Sequence, residues 1–248
     1  MDVVHSKDEL AQQIADWRQL GDHIALVPTM GNLHQGHLSL VDLAREHAER
    51  VIVSIFVNPT QFGEGEDFDE YPRTLELDTR LLKKTPADLV FAPSVDTMYP
   101  FGLDMATRVS VPGLTEHFCG ASLVIRHMTA DLGLPIKIIT GTTVRDDDGL
   151  ALSSRNSYLS EDERATAPLL YATLSSVGTE LQSGRRDFDE LESAASARLE
   201  EAGFDVDYFA IRRAQNLEPS DRDCDDLVVL AAARLGQARL IDNVVVTI

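Results

Sequence analysis

The chain has little cysteine. Cys119 and Cys224 are the two in 248 residues, and they lie far apart and outside any Cys-x-x-Cys spacing. That argues against a disulfide framework and leaves a cysteine-based zinc site without support; both read as reduced packing residues. Long apolar runs are also missing. No stretch approaches the roughly 18–20 residues that a membrane span needs, and Met1 to Leu10 carries charges where a signal peptide carries a hydrophobic stretch. The expectation is a cytoplasmic protein with no membrane association. Positive charge is the third shortage, with 22 Lys+Arg against 41 Asp+Glu and a formal charge of −19. Binding to nucleic acid rests on Lys and Arg neutralising phosphates, so this balance argues against a general nucleic-acid binder. An anionic small molecule would have to be held by local geometry against the global field.

What is present is ordinary globular material, 44% hydrophobic and 25% charged, long enough for one or two domains with a substantial core. The first two-fifths alternates buried strands with amphipathic helices. Strand patterns occupy Ile24 to Pro28, Val51 to Val57 and Asp88 to Pro93, and helical patterns run from about Leu38 to Glu49 and from about Leu75 to Lys84. Continuous β-branched runs separated by single helices are what a parallel sheet covered on both faces requires. The fold class is therefore α/β, a Rossmann-like parallel sheet domain followed by a second, smaller α+β domain. In that second part, helical stretches at about 161–182 and 187–202 precede strand patterns at Asp207 to Arg212, Leu227 to Ala233 and Ala238 to Val244, and Ser160 followed by Glu163 suits a capping box. The boundary reads near residue 142, giving domains 1–142 and 143–248. No internal repeat or low-complexity tail is present.

The stretch from Pro28 to His37, which includes Met30-Gly31-Asn32-Leu33-His34-Gln35-Gly36-His37, lies between the first of these strands and the next helix. In an open α/β sheet, ligands bind at the carboxyl ends of strands. Two glycines let the backbone approach a phosphate, and a helix N-terminus offers free N–H groups and the positive end of its dipole. Histidines three apart share one face of the first turn, so both can reach the same triphosphate. A single histidine here reads as a polar surface residue; the pair with its glycines reads as a site. No third ligand at a recognisable spacing supports zinc, and the metal expectation is none. The acidic turn Asp146-Asp147-Asp148-Gly149 invites a calcium reading, but Leu150 stands at the fifth position, where an EF-hand needs an oxygen.

The segment around His34 and His37 resembles the His-x-Gly-His signature of adenylate-forming nucleotidyltransferases, and more narrowly the pantothenate synthetase (pantoate–β-alanine ligase) family. The resemblance continues through Ser54 to Phe62, Tyr71-Pro72-Arg73-Thr74-Leu75, Asp88 to Ser94, Met98-Tyr99-Pro100 and Gly149 to Asn156, covering nearly the whole chain. It implies a two-step ligation: pantoate and ATP give pantoyl adenylate and pyrophosphate, and β-alanine then displaces AMP to give pantothenate. It implies Mg²⁺ carried with ATP, a homodimer formed through the first domain, and roles for particular residues. Met30 to His37 match the ATP-binding loop, with His34 and His37 on phosphates and His37 as the assigned proton donor. Gln61 matches a pantoate-binding residue that also contacts β-alanine, with Asn58 and Tyr71 lining the same pocket. Ser153, Ser154 and Arg155 match a second phosphate-binding segment, Leu152 precedes it in the ATP site, and Val144 falls where the family contacts adenine. Two other readings are a nucleotidyltransferase of the same superfamily that stops after transferring AMP or CMP, and a catalytically impaired nucleotide-binding homologue.

The chain departs from the family at one place. Between Ser122 and Leu123 the family carries roughly 35 further residues, about one helix–strand unit, whose loop supplies an ATP-binding lysine and a second pantoate-binding glutamine. Neither has a counterpart here, and Lys83, Lys84 and Lys137 stand in other contexts. Removing a buried strand exposes apolar faces on its neighbours, at a cost beyond the roughly 5–15 kcal/mol by which domains are stable. The expectation is therefore that the native chain continues through this seam. An intact mass near 27.3 kDa would instead establish a true deletion, with activity nearly lost.

Overall fold

A computed structural model describes residues 1–62, 68–109 and 121–248; Cys119 lies outside them. The chain forms two compact units, Met1–Arg108 and Val109–Ile248.

The first unit is built on a parallel sheet of four strands, β1 (Asp2–Val4), β2 (Ile24–Thr29), β3 (Arg50–Ile55) and β4 (Leu89–Phe91), in the order β1-β4-β3-β2. Side chains alternate across a strand, so β3 feeds both faces of the sheet. Val51, Val53 and Ile55 pack with Val27, Val90, Val41 of helix α2 (Gln35–His47) and Leu82 of helix α3 (Leu75–Leu82). Ile52 turns the other way and joins Leu89, Phe91 and Trp17 of helix α1 (Lys7–Gln19). Burial on both faces explains why the strands read as continuous apolar runs. Strand β1 and helix α1 escaped the sequence reading. The cue was a capping box in which the Ser6 hydroxyl accepts from the Glu9 N–H and the Glu9 carboxylate accepts from the Ser6 N–H. A short helix α4 (Val95–Met98) follows β4. Strand β2 is an edge strand, and Leu26 on it is 60% exposed.

The second unit contains helices α5 (Ala121–Asp131), α6 (Glu161–Thr166), α7 (Leu169–Gln182) and α8 (Phe188–Glu201), then strands β5 (Asp205–Arg213), β6 (Asp226–Leu235) and β7 (Ala238–Thr247). The strands form an antiparallel sheet in sequence order, and one face packs Leu227, Val229 and Ala231 against Leu174, Leu181 and Leu199 of α7 and α8. The single helical stretch expected at 161–182 is two helices: Pro168 sits at the break, where it has no N–H to continue the ladder. The expected capping box of Ser160 and Glu163 is present at α6.

The two compact units divide at Arg108/Val109, whereas the sequence reading places the boundary between domains near residue 142. Among the described residues no strand after β4 joins the parallel sheet. Residues 132–144 form no strand, and Leu132, Leu134, Ile136 and Ile139 are left exposed. No helix of the described residues is long and apolar enough to cross a membrane.

Candidate functional site

Strands β2 and β3 end side by side, Thr29 opposite Ile55, and the Phe56 N–H reaches back to the Thr29 carbonyl at 3.0 Å. The loops leaving both strands therefore start from the carboxyl edge of the sheet, where an α/β fold places its ligands. Gly31 and Asn32 follow β2 with φ of +83° and +51°, a left-handed path that glycine and asparagine tolerate best. Gly31 has a second reason to lack a side chain, because a Cβ there would lie 3.0 Å from Asp78 Oδ2 and 3.2 Å from Ile55 Cγ2.

His34 is the N-cap of α2. Its Nδ1 accepts from the Gly36 N–H at 3.2 Å, and His37 Nδ1 accepts from the His34 N–H at 3.3 Å. The two rings therefore take the cap roles that Ser and Glu usually fill, and they lie against each other at a 45° tilt with centroids 4.0 Å apart. A ring nitrogen that accepts carries no proton, so the neutral tautomer of each histidine has its hydrogen on Nε2. Burial lowers the pKa of His34; burial and then the nearness of His34 lower that of His37 to about 4. At neutral pH the start of α2 thus presents two uncharged Nε2–H donors beside the positive end of a helix dipole.

Asp78 was absent from the sequence reading. It is 1% exposed, and it accepts from the Leu33 N–H at 2.8 Å through Oδ1 and from the Asn32 N–H at 3.0 Å through Oδ2. The Thr74 hydroxyl adds a donor to Oδ2 at 3.1 Å. A signal existed: Leu75, Asp78 and Leu82 share one helix face at i, i+3 and i+7, which puts a carboxylate in an apolar stripe.

The second loop leaves β3. Asn58 caps a 3₁₀ turn at Pro59–Gln61, its Oδ1 accepting from the Thr60 N–H, the Thr60 hydroxyl and the Tyr99 hydroxyl at 3.1, 2.9 and 2.8 Å. Gln61 is exposed at the end of that turn. Tyr71 is 5% exposed and packs edge-on to Phe62, so most of its ring supports the loop. Met30 is half-buried, Leu33 buried and Gln35 exposed.

In the second unit, Ser153 caps a 3₁₀ turn at Ser154–Tyr158, its hydroxyl accepting from the Arg155 N–H at 3.2 Å. The Val144 carbonyl accepts from the Leu152 N–H at 2.9 Å. Thr143, Leu152, Ser153 and Arg155 line a cavity of about 890 Å³ that also reaches Arg126 and Tyr208. The segment is anchored from behind by Arg145, whose guanidinium makes a two-pronged bond to Asp242 at 2.5 and 2.8 Å and lies over the Tyr171 ring. The acidic turn at 146–149 holds Arg164, with Asp146 at 2.8 Å and Asp148 at 2.5 Å, so these carboxylates already have a cation.

Against known proteins, the pantoate-β-alanine ligase family matches at residues 2–123 and 122–245. The chain belongs to that family. The pantothenate synthetase of Pseudomonas entomophila is 46% identical over 277 aligned positions, covering 98% of this chain and 96% of its own. That of Pseudomonas fluorescens strain SBW25 is 44% identical over 282 positions and all of both chains. Those 282 positions exceed the 248 residues here by 34, and the two family matches meet at 122–123, which places the shortfall at the Ser122/Leu123 seam. The crystal structure of the Thermus thermophilus pantothenate synthetase aligns with a TM-score of 0.85 at 38% identity, over 98% of this chain and 99% of that one. A Francisella tularensis pantoate-β-alanine ligase, solved in complex with β-γ ATP and β-alanine, aligns with a TM-score of 0.72 at 26% identity over 98% and 97%.

Proposed function

We propose that this member of the ligase family joins pantoate to β-alanine at the expense of ATP. A pantoate carboxylate oxygen attacks the α-phosphorus, the bond to pyrophosphate breaks, and pantoyl adenylate forms. The amine nitrogen of β-alanine then attacks the acyl carbon, AMP leaves, and pantothenate is released. Such chemistry needs positioning and charge stabilisation more than a protein nucleophile. The observation that carries the reading to particular residues is the His34/His37 pair, held by backbone N–H groups as two Nε2–H donors at the start of α2. His37 is uncharged at neutral pH in the free chain; a polyphosphate beside it favours the protonated ring, which suits it to stabilise and protonate a phosphate oxygen.

The remaining assignments follow the same reading. Met30 to Gln35 and Gly36 form the ATP loop, and Gln61 uses its amide to donate to one substrate and accept from another without adding charge, with Asn58 and Tyr71 shaping its loop. In the second unit Ser153, Ser154 and Arg155 are assigned to phosphate, and Val144 and Leu152 to the nucleoside. Arginine offers a permanently charged fork for that purpose. Mg²⁺ prefers phosphate oxygens with few protein ligands. An ion that arrives with the nucleotide would offset charge on its phosphates. A homodimer working in the cytoplasm completes the reading; sedimentation velocity checks the first part and cell fractionation the second.

The deciding assay measures pyrophosphate release from ATP with and without pantoate, and pantothenate after β-alanine is added. Pantoate-dependent release followed by pantothenate is the expected result. AMP or CMP transfer without pantothenate would support a plain nucleotidyltransferase. The 34 positions without a counterpart favour a second reading, a nucleotide-binding homologue with impaired catalysis; saturable ATP binding without pyrophosphate release would establish it.

A further inference from the structure

Turns that bring adjacent backbone N–H groups together make concavities that bind anions. The turn at Gly31 and Asn32 brings the Asn32 and Leu33 N–H groups onto one point, and the anion found there belongs to the protein. Asp78 spans the pair from α3, one oxygen to each N–H, with Thr74 as its third donor. At 1% exposure it is sealed from solvent on a helix that also supplies the buried Leu82. A Cβ at Gly31 would crowd Asp78 Oδ2 at 3.0 Å on a backbone with φ of +83°, so the loop glycine and Asp78 fit as a pair.

We propose that Asp78 is the positioning residue of the nucleotide loop. By filling the Asn32–Leu33 amide pair it fixes the path of the chain into His34. It also closes that pair to phosphate, so an incoming polyphosphate meets the Nε2–H groups of His34 and His37 instead. The proposal rests on the reading that this loop receives a polyphosphate, and it makes an uncharged histidine pair, not the glycine-turn amides, the first contact.

Two measurements test it. In the wild-type chain, titration with inorganic pyrophosphate followed by NMR is expected to move the His34 and His37 ring signals and leave the Asn32 and Leu33 amides in place. Amides that move as far as the rings would overturn the proposal, and this readout needs no variant to fold. In Asp78→Asn, an NH₂ faces a backbone N–H while shape is kept. The Asn32 and Leu33 amides are expected to exchange with solvent far faster, and kcat to fall by about 10²-fold, the scale of an ångström-sized misplacement, with KM for pantoate unchanged. A variant with a lower Tm but intact kcat and intact amide protection would show a role in stability alone. A wild-type chain that releases no pyrophosphate overturns the proposed function, and the amide and ring signals still decide the part played by Asp78.

Discussion

The two sheets of this protein are connected in different ways, one antiparallel and one parallel. The antiparallel sheet is a meander in which each strand pairs with its neighbour in sequence, and Leu227 through Ala233 of its central strand are all buried. Its strands are joined by residues 214–225 and 236–237, both within the second unit. Parallel strands need crossovers of a dozen or more residues, and each neighbour arrives from a distant part of the chain. In the described sheet β2 lies at an edge and carries the exposed Leu26. The His34/His37 loop follows that strand.

The largest expected effect lies on the loop. His37→Ala should lower pantoate-dependent pyrophosphate release by about 10²–10⁴-fold; unchanged turnover would show that the loop on the parallel sheet has no catalytic part. Next comes the core of the antiparallel sheet. Leu199 is fully buried, and Leu199→Ala should cost roughly 2–5 kcal/mol in a denaturant titration, a loss below about 1 kcal/mol showing that this core is looser than its burial implies. A pH effect follows from the parallel-sheet unit. His37 falls from an ordinary 6.5 to about 4 on folding, so between those values the unfolded chain binds more protons and stability rises with pH. The contribution, about 3 kcal/mol as an order of magnitude, is complete above pH 6.5 and lost as pH falls toward 4. Subtracting the stability profile of His37→Gln from that of the wild type isolates it, and a flat difference would contradict the assignment. The smallest effect is at the β2 edge: Leu26→Ser, at a side chain 60% exposed, should change stability by no more than about 0.5 kcal/mol while reducing self-association measured by light scattering. A cost of several kcal/mol would mean that β2 is covered in solution.

The sequence was most legible where one local pattern sufficed. The strand pattern at Ile24 to Pro28 lies on β2, that at Val51 to Val57 overlaps β3, which ends at Ile55, and the helix expected at 187–202 is α8, Phe188–Glu201. Helix α1 was missed because its apolar residues are sparse, with Trp17 alone fully buried on it, and its cap is a stronger cue than its stripe. The loop of Met30 to His37 was found through glycines and histidines close in sequence. Asp78 was not, because its partners Asn32 and Leu33 lie 46 and 45 residues away.

Hydrophobic periodicity, turn residues and short motifs are properties of neighbouring positions, and these determined the α/β class, the loop that carries the histidines, the family and the seam. Tertiary structure decided which nitrogen of each histidine carries the proton, which carboxylate holds the loop, which arginine braces the turn before Ser153, and which strand is left at the edge. Each of those depends on groups that the fold brings together across tens of residues, and a buried polar group takes its meaning from the partner that satisfies it.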